Sequence, residues 1–336
     1  MNSNKKIVRF MINRNDGASE YDLQIDNALN DQLNKFSYEV KDIKDYNSLP
    51  RFLALIIFWL RSQHMLFFGR VDIAIVSLWM MLIYPKNVSI ICISHHYDPS
   101  VFEGIRRIYV KLSHWLFILQ SSRIDVVVSC SKYWSQYYKE KGFKKTITIF
   151  NGFDIETMDS SLATPDSNLV LKRLNLISKK YLHLGSYGPA KGQKIAIKGL
   201  KNIGLPMIAT SPSKKILTND LKDIQLINAS FNEYNVLLKN AKAIICMSEF
   251  NEGWCRVLHE GAIHGTPILG SGLGGMKELL EIGGFTVSTA DKLSRDLDIR
   301  TKDEYISKDR VNLYREFTLE KFYQAWRFCV LELLDV

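Results

Sequence analysis

Short apolar runs of strand length alternate with stretches of helical periodicity along this chain. The alternation happens twice, with a polar interval between. Residues 7–12 form an apolar run after two lysines, and the turn formers of 13–19 follow. Ile25, Ala28, Leu29 and Leu33 then recur at helical spacing. Residues 72–78 and 88–94 read as buried strands. Residues 105, 108, 109, 112, 115, 116 and 119 make a helical stripe, and the opposite face with Arg106, Arg107, Lys111 and His114 reads as solvated. Strands at 125–129 and 146–150 close the first block at the Asn151-Gly152 turn signal. The polar residues 156–178 read as a linker. After it come strands at 181–185, 206–210, 224–227, 243–247 and 267–270, with a helix at 193–201 after a glycine-bearing loop. Strand, small-residue turn, helix, repeated in two blocks, predicts an α/β chain of two Rossmann-like domains facing a central cleft. The expected domains are 1–165 and 166–318, with a last helix, about 319–334, packing back on the first.

At 336 residues the length suits two domains, and 46% hydrophobic with 24% charged residues excludes a disordered or collagen-like chain. The net charge of +9 favours an anionic partner: nucleic acid, an anionic membrane surface or a phosphorylated substrate. No basic stripe interleaved with aromatics supports the first, so no nucleic-acid partner is expected. The five cysteines form no CxxC pair, and the start of the sequence has too short an apolar run for a signal peptide. A reducing, cytoplasmic location is therefore expected. The apolar stretch 52–84 is broken by Arg61, His64, Arg70 and Asp72, and neither half reaches the ~18–20 residues needed to span a bilayer. It reads as a buried helix followed by a core strand. Its alternative is a helix dipping into one leaflet with Arg51 and Arg61 at the headgroups. Asp296-Leu297-Asp298 has the look of a metal-binding DxD, but it lies away from the segment that carries the chemistry, and no metal is expected.

That segment runs from Ser248 to Ala262 and on to Leu280. Glu252 and Glu260 are separated by seven residues, and Gly253 lets backbone approach a ligand closely. A helix expected from about Cys255 would aim free N–H groups at an anion such as a diphosphate. A glutamate before that helix suits sugar hydroxyls, one inside it suits a ribose, and Gly274-Gly275 offers a second backbone approach.

This stretch resembles the signature of retaining glycosyltransferases of the GT-B fold, family 4 in particular: Glu, seven residues, Glu, then G-x-P and a Gly-Gly loop with a downstream Glu. Other segments resemble the family in order. These are Asp16-Gly17-Ala18-Ser19-Glu20, Asp72, Ser94-His95-His96-Tyr97-Asp98, Ser129-Cys130-Ser131, Asn151-Gly152-Phe153-Asp154, and the Gly185–Gly192 loop. The resemblance implies that Lys191 pairs with the donor diphosphate. It implies further that Glu260 binds the ribose, that Glu252 contacts the transferred sugar, and that His95 sits over the reacting centre. Gly274, Gly275 and Met276 would present backbone to phosphates and sugar, and Gly17 would bring the N-terminal loop close. Ser186 stands where the family often has Arg, and a clamp of Lys191 alone is weaker unless Arg256 or another cation helps. Gly253, Trp254 and Val257 complete the expected donor site.

The function implied is transfer of a sugar from a nucleoside-diphosphate sugar, UDP- or GDP-linked, to a hydroxyl of a glycan, lipid-linked or surface-polysaccharide acceptor. Retention at the anomeric carbon is expected, with no cofactor beyond the donor. The charge and the apolar 52–68 stretch together suggest peripheral contact with an anionic membrane at its cytoplasmic face. The alternatives are a non-catalytic nucleotide- or sugar-binding protein on the same scaffold and a nucleotide-sugar epimerase.

Overall fold

The computed structural model describes residues 6–11, 17–30, 37–42, 65–70, 88–162, 167–188, 190–211, 223–285, 287–302 and 305–334. The chain divides into two compact units. The first is residues 1–152 with 319–336, and the second is residues 153–318.

The first unit holds a parallel sheet of β1 (Lys6–Met11), β2 (Ser37–Asp42), β3 (Met65–Arg70), β4 (Val88–Ser94), β5 (Val126–Ser129) and β6 (Thr146–Thr148). Their order is β2-β1-β3-β4-β5-β6, so the chain reverses its direction of winding between β1 and β3. Helices α1 (Gly17–Asn30), α2 (Gly104–Leu119) and α3 (Lys132–Glu140) connect them. β5 is buried along its whole length, as a central parallel strand covered on both faces must be. Phe117 of α2, Trp134 and Tyr138 of α3, and Phe143 form an aromatic layer, with Phe117 and Phe143 centroids 4.9 Å apart. The Ser94 hydroxyl lies 2.7 Å from the Tyr138 hydroxyl, which satisfies both polar groups inside that layer.

The second unit begins with α4 (Ile155–Leu162) and α5 (Ser167–Arg173). Its parallel sheet contains β7 (Leu182–Ser186), β8 (Met207–Thr210), β9 (Gln225–Ile227), β10 (Ala243–Cys246) and β11 (Ile268–Gly270), in the order β11-β10-β7-β8-β9. The winding reverses between β7 and β10. Helices α6 (Gln193–Leu200), α7 (Phe231–Asn240), α8 (Arg256–Ile263), α9 (Gly275–Ile282), α10 (Leu293–Arg300) and α11 (Lys308–Arg315) complete it. One apolar cluster unites the sheet with two helices: Leu182, Leu184, Ile245 and Leu269 pack with Ala196, Leu200, Leu293 and Leu297. Ser230 and Glu233 cap α7 reciprocally, each side chain taking the other residue's backbone N–H.

The last helix, α12 (Leu319–Leu334), belongs to the first unit. Its Phe322 and Trp326 meet the buried Tyr21 of α1 edge-on at 5.0 and 6.2 Å, and the Arg327 guanidinium donates to the Ala28 carbonyl.

Three expectations are corrected. The interval 156–178 is not an irregular linker but contains α4 and α5, with Met158, Ser161 and Leu171 buried. Asp154 caps α4 by accepting from the Thr157 N–H, and two helices of eight and seven residues leave little periodicity to read. The segment taken as an interruption in 52–84 supplies β3, which pairs with β1 and β4. The helix expected early in 52–84, the strand expected at 72–78 with Asp72, and Asp16 lie outside the described residues. The third correction concerns α2. His114 is buried, against Tyr97 and Tyr137, while Ile105, Ile108, Leu112, Trp115 and Leu119 of the apolar stripe are exposed.

Candidate functional site

In open parallel sheets, ligands bind outside the carboxyl ends of the strands where the winding reverses. In the second unit that place lies beyond β7 and β10. Ser186 ends β7, the loop after it carries Lys191 and Gly192, and the loop after β10 carries Ser248–Cys255.

The two loops are pressed together. Gly192 has φ +73°, and a Cβ there would fall 1.7 Å from the Met247 carbonyl oxygen. No other residue tolerates that contact and that conformation. The Glu249 N–H donates to the Ala190 carbonyl at 2.8 Å. Gln193 holds the first loop from below, its amide donating to the carbonyls of Ser186 and Leu184. The consequence is a short bridge: Lys191 Nζ donates to Glu252 Oε1 at 2.8 Å, and the Ser248 hydroxyl donates to the same oxygen at 2.6 Å. Glu252 is only 5% exposed. Burial by itself would lower the Lys191 pKa, but the Glu252 carboxylate outweighs it and the net shift is upward.

Glu252 is also tied to the glycine loop through its backbone. Its N–H donates to Leu273 O, and Gly275 N–H, at the start of α9, donates to Glu252 O at 2.9 Å. Gly274 has φ +64°, and a Cβ there would meet Glu252 O at 2.4 Å. Gly274→Ala is expected to cost about 1–3 kcal/mol of stability and to displace Glu252. Denaturant unfolding of wild type and variant measures the first. Met276 is fully buried and its sulfur accepts the Gly272 N–H, so only its backbone is available to a ligand.

A second cluster lies along α8. Glu260 accepts from the Tyr234 hydroxyl of α7 at 2.6 Å through one oxygen and from Arg256 at 3.3 Å through the other. The Arg256 guanidinium lies over the Phe153 ring, 5.0 Å from its centroid. Val257 is half-buried beside it on the first turn. Between the clusters, Gly253 and Trp254 are buried, and Trp254 Nε1–H donates to His259 Nδ1 at 3.0 Å. The other ring nitrogen, 2.9 Å from the Tyr314 carbonyl, must therefore carry the proton. Burial first, and Arg256 as well, push the His259 pKa down to about 3 despite that carbonyl. His183 acts in the same way under the other loop. Its Nδ1 accepts the Gly185 N–H at 3.1 Å, and burial lowers its pKa to about 4.

The second unit thus brings Ser186, Lys191, Glu252, Gly253, Trp254, Arg256, Val257, Glu260, Gly274, Gly275 and Met276 to one end of its sheet. His95 and Gly17 belong to the first unit. His95 follows β4, half-buried, its ring edge-on to Tyr21 at 4.7 Å, and Gly17 opens α1. Asp296 accepts from the Ser288 hydroxyl within the second unit. Sequence reading assigned no role to Ser248, Tyr234, His183 or Gln193. Ser248, at the start of the motif, was the one with a local signal. Tyr234 lies twenty-six residues before the glutamate it meets, and only packing connects them.

No family model matches the chain, and no curated protein matches it in sequence. Solved structures do match. HepE of Anabaena in complex with UDP-glucose superposes with a TM-score of 0.73 at 16% identity, over 97% of this chain and 99% of that one. Sucrose-phosphate synthase of Thermosynechococcus elongatus gives 0.75 at 15% identity, over 98% and 99%. A glycosyltransferase of Rickettsia africae gives 0.71 at 14% identity, over 99% of both. Taken with the two parallel sheets and their winding, these likenesses establish that the chain has the GT-B fold.

Proposed function

We propose that this protein is a retaining glycosyltransferase of the family 4 kind, moving a sugar from a nucleoside-diphosphate sugar to a hydroxyl of a glycan, lipid-linked or surface-polysaccharide acceptor. The observation that carries the reading is the bridge from Lys191 to Glu252, locked to the Gly274-Gly275 loop where the second sheet reverses its winding. One cation, one buried carboxylate and two helix N-termini converge there, a set suited to a diphosphate and a hydroxylated ring.

In this reading Lys191 turns from Glu252 toward the diphosphate and offsets the charge that grows on the leaving phosphate. Glu252, already accepting two hydrogen bonds on one oxygen, keeps its carboxylate for sugar hydroxyls. It positions the sugar and does not attack it. Attack then comes from the acceptor on the same face, with the leaving phosphate taking the acceptor proton. Glu260, oriented by Tyr234 and Arg256, takes the ribose hydroxyls, and Arg256 rather than Ser186 supplies the second positive charge near the donor. His95 and Gly17 are the first unit's proposed contributions. Lysine charge and helix termini make the chemistry independent of a metal. HepE was solved with UDP-glucose and with UDP, and a trehalose-6-phosphate synthase structure contains UDP-2-fluoro glucose, which favours a uridine nucleotide as the first to try. Among the described residues no helix is long and apolar enough to cross a membrane. A cytoplasmic protein in peripheral contact with an anionic membrane is the location proposed.

The test is a thermal-shift panel of UDP, GDP, ADP, CMP and their sugar conjugates on wild type and Glu260→Ala. A diphosphate at a hundred times its Kd adds about 2.7 kcal/mol, a rise of roughly 5–10 °C for a unit of this size. The rise is expected with UDP or GDP and is expected to vanish in the variant. No shift with any nucleotide would discard the donor site. A positive hit leads to turnover with the matching sugar nucleotide, where an inverted product anomer would overturn the retaining mechanism.

A further inference from the structure

Helix α2 is turned inside out relative to its sequence pattern. Ile105, Ile108, Leu112, Trp115 and Leu119 recur at intervals of three and four, which is one stripe of an α-helix. Their exposures are 86, 67, 52, 55 and 55%. The opposite side holds the helix to the fold: His114 stacks on Tyr97 with centroids 3.4 Å apart and lies 2.9 Å from the Tyr137 hydroxyl, and Phe117 is fully buried. A ridge of large apolar side chains about 21 Å long facing water in this way marks an interaction surface.

The charge around the ridge identifies the occupant. The sixteen residues of α2 contain no aspartate or glutamate. Arg107 and Lys111 are both exposed and fall on one flank of the stripe, next to Ile108 and Leu112. Trp115, with an apolar ring and one polar N–H, is the side chain best suited to the boundary between headgroups and acyl chains. An apolar stripe with cations along one flank and no acidic residue within the helix, Glu103 lying at its N-cap, matches a flat surface with negative headgroups over an apolar layer. The chain's net charge of +9 has the same sign.

We infer that α2 is the element by which this protein seats itself on an anionic lipid surface, lying parallel to it with Ile105, Ile108, Leu112, Trp115 and Leu119 inserted below the headgroups. The inference rests on the membrane part of the reading above and is independent of sugar transfer. It moves the contact from the 52–68 stretch to a helix whose exposed face the structure describes.

The test uses the full chain without nucleotide, sedimented with phosphatidylcholine vesicles that contain or lack phosphatidylglycerol. Wild type is expected to bind the anionic vesicles. Ile108→Ser, Leu112→Ser and Trp115→Ser together are expected to weaken binding by at least tenfold. Arg107→Gln with Lys111→Gln is expected to weaken it by about thirtyfold, on anionic vesicles only. All five side chains are exposed, so the fold does not depend on them, and an unchanged melting temperature checks this. In wild type, brominated lipid is expected to quench tryptophan emission, and Trp115→Phe is expected to lose most of that quenching. Absence of wild-type binding, or full binding by the triple variant, would overturn the inference. So would binding that is replaced by concentration-dependent dimerisation through this face. A protein that binds vesicles through α2 yet shows no nucleotide-dependent shift would sink the transferase reading alone. One that transfers sugar without touching vesicles would sink this one alone.

Discussion

On the proposed mechanism, Lys191→Ala is expected to lower sugar transfer by about a hundred- to a thousandfold, mostly in kcat. That is the range for removing one preorganised group that stabilises a developing charge. The structure adds a complication that can be turned into a control. Lys191 donates to a Glu252 oxygen at 2.8 Å, and the Glu252 side chain is 7% exposed against 36% for Lys191. Taking the cation away leaves a carboxylate in a poorly solvated place. A fully buried pair would lose several kcal/mol, but with a third of the lysine side chain in solvent the loss is about 1–2 kcal/mol. Lys191→Ala with Glu252→Gln removes the buried charge as well. The double variant is expected to recover most of the stability and none of the activity. Lys191→Arg keeps the charge over the Phe250 ring, where Lys191 Nζ now lies 4.8 Å from the centroid, and is expected to keep partial activity. Initial rates with a matched donor and acceptor, set beside denaturant midpoints, separate the two effects. Activity in Lys191→Ala within tenfold of wild type would remove this lysine from the mechanism.

Acid is expected to unfold the second unit steeply between about pH 6.5 and 4. His183 and His264 are held down to about 4 and His259 to about 3, burial being the largest cause for each. The hydrogen bonds agree with the direction. His259 Nδ1 is occupied by the Trp254 N–H and His183 Nδ1 by the Gly185 N–H, so protonating either nitrogen breaks a bond the fold uses. Because the folded pKa values lie below the unfolded value of 6.5, the stability from these neutral rings is fully present above that pH. It is lost as pH falls, since the unfolded chain binds protons the folded chain refuses. Three such protons give a slope of about 4 kcal/mol per pH unit at its steepest. In the first unit His114, lowered to about 4 by burial and then by Lys141, adds a fourth. Denaturant unfolding measured at half-unit steps from pH 7.5 to 4.5 tests this. A stability that stays level down to pH 5 would show that these imidazoles accept protons in place. The proposed donor site should fail over the same range, because the two loops that build it are pinned by His183 and His259.

Much of the fold was legible without coordinates. Strand 88–94 and helix 319–334 were read to the residue, and the strands of the second unit to within one, because buried parallel strands are continuous apolar runs between turn formers. The misreadings share a cause. α4 and α5 are only eight and seven residues long, so two turns give too little periodicity to read as helix. β3 lies inside a long apolar stretch where periodicity does not choose between strand and helix. α2 has apolar residues around most of its circumference, and spacing alone does not say which side a protein buries.

The segment around Glu252 and Glu260 stood out in the sequence for its glycines, carboxylates and expected helix start, and the roles proposed for it come from its resemblance to a glycosyltransferase signature. The chain by itself therefore determined the α/β architecture and pointed to the residues proposed for the site. Tertiary structure decided the pairings: Lys191 with Glu252 and Ser248, Glu260 with Tyr234, His259 between Trp254 and Tyr314, and the outward face of α2. Each of these joins residues through sheet winding or helix packing. Local propensity and periodicity act over a turn or a strand, whereas these contacts are selected by burial across the whole unit.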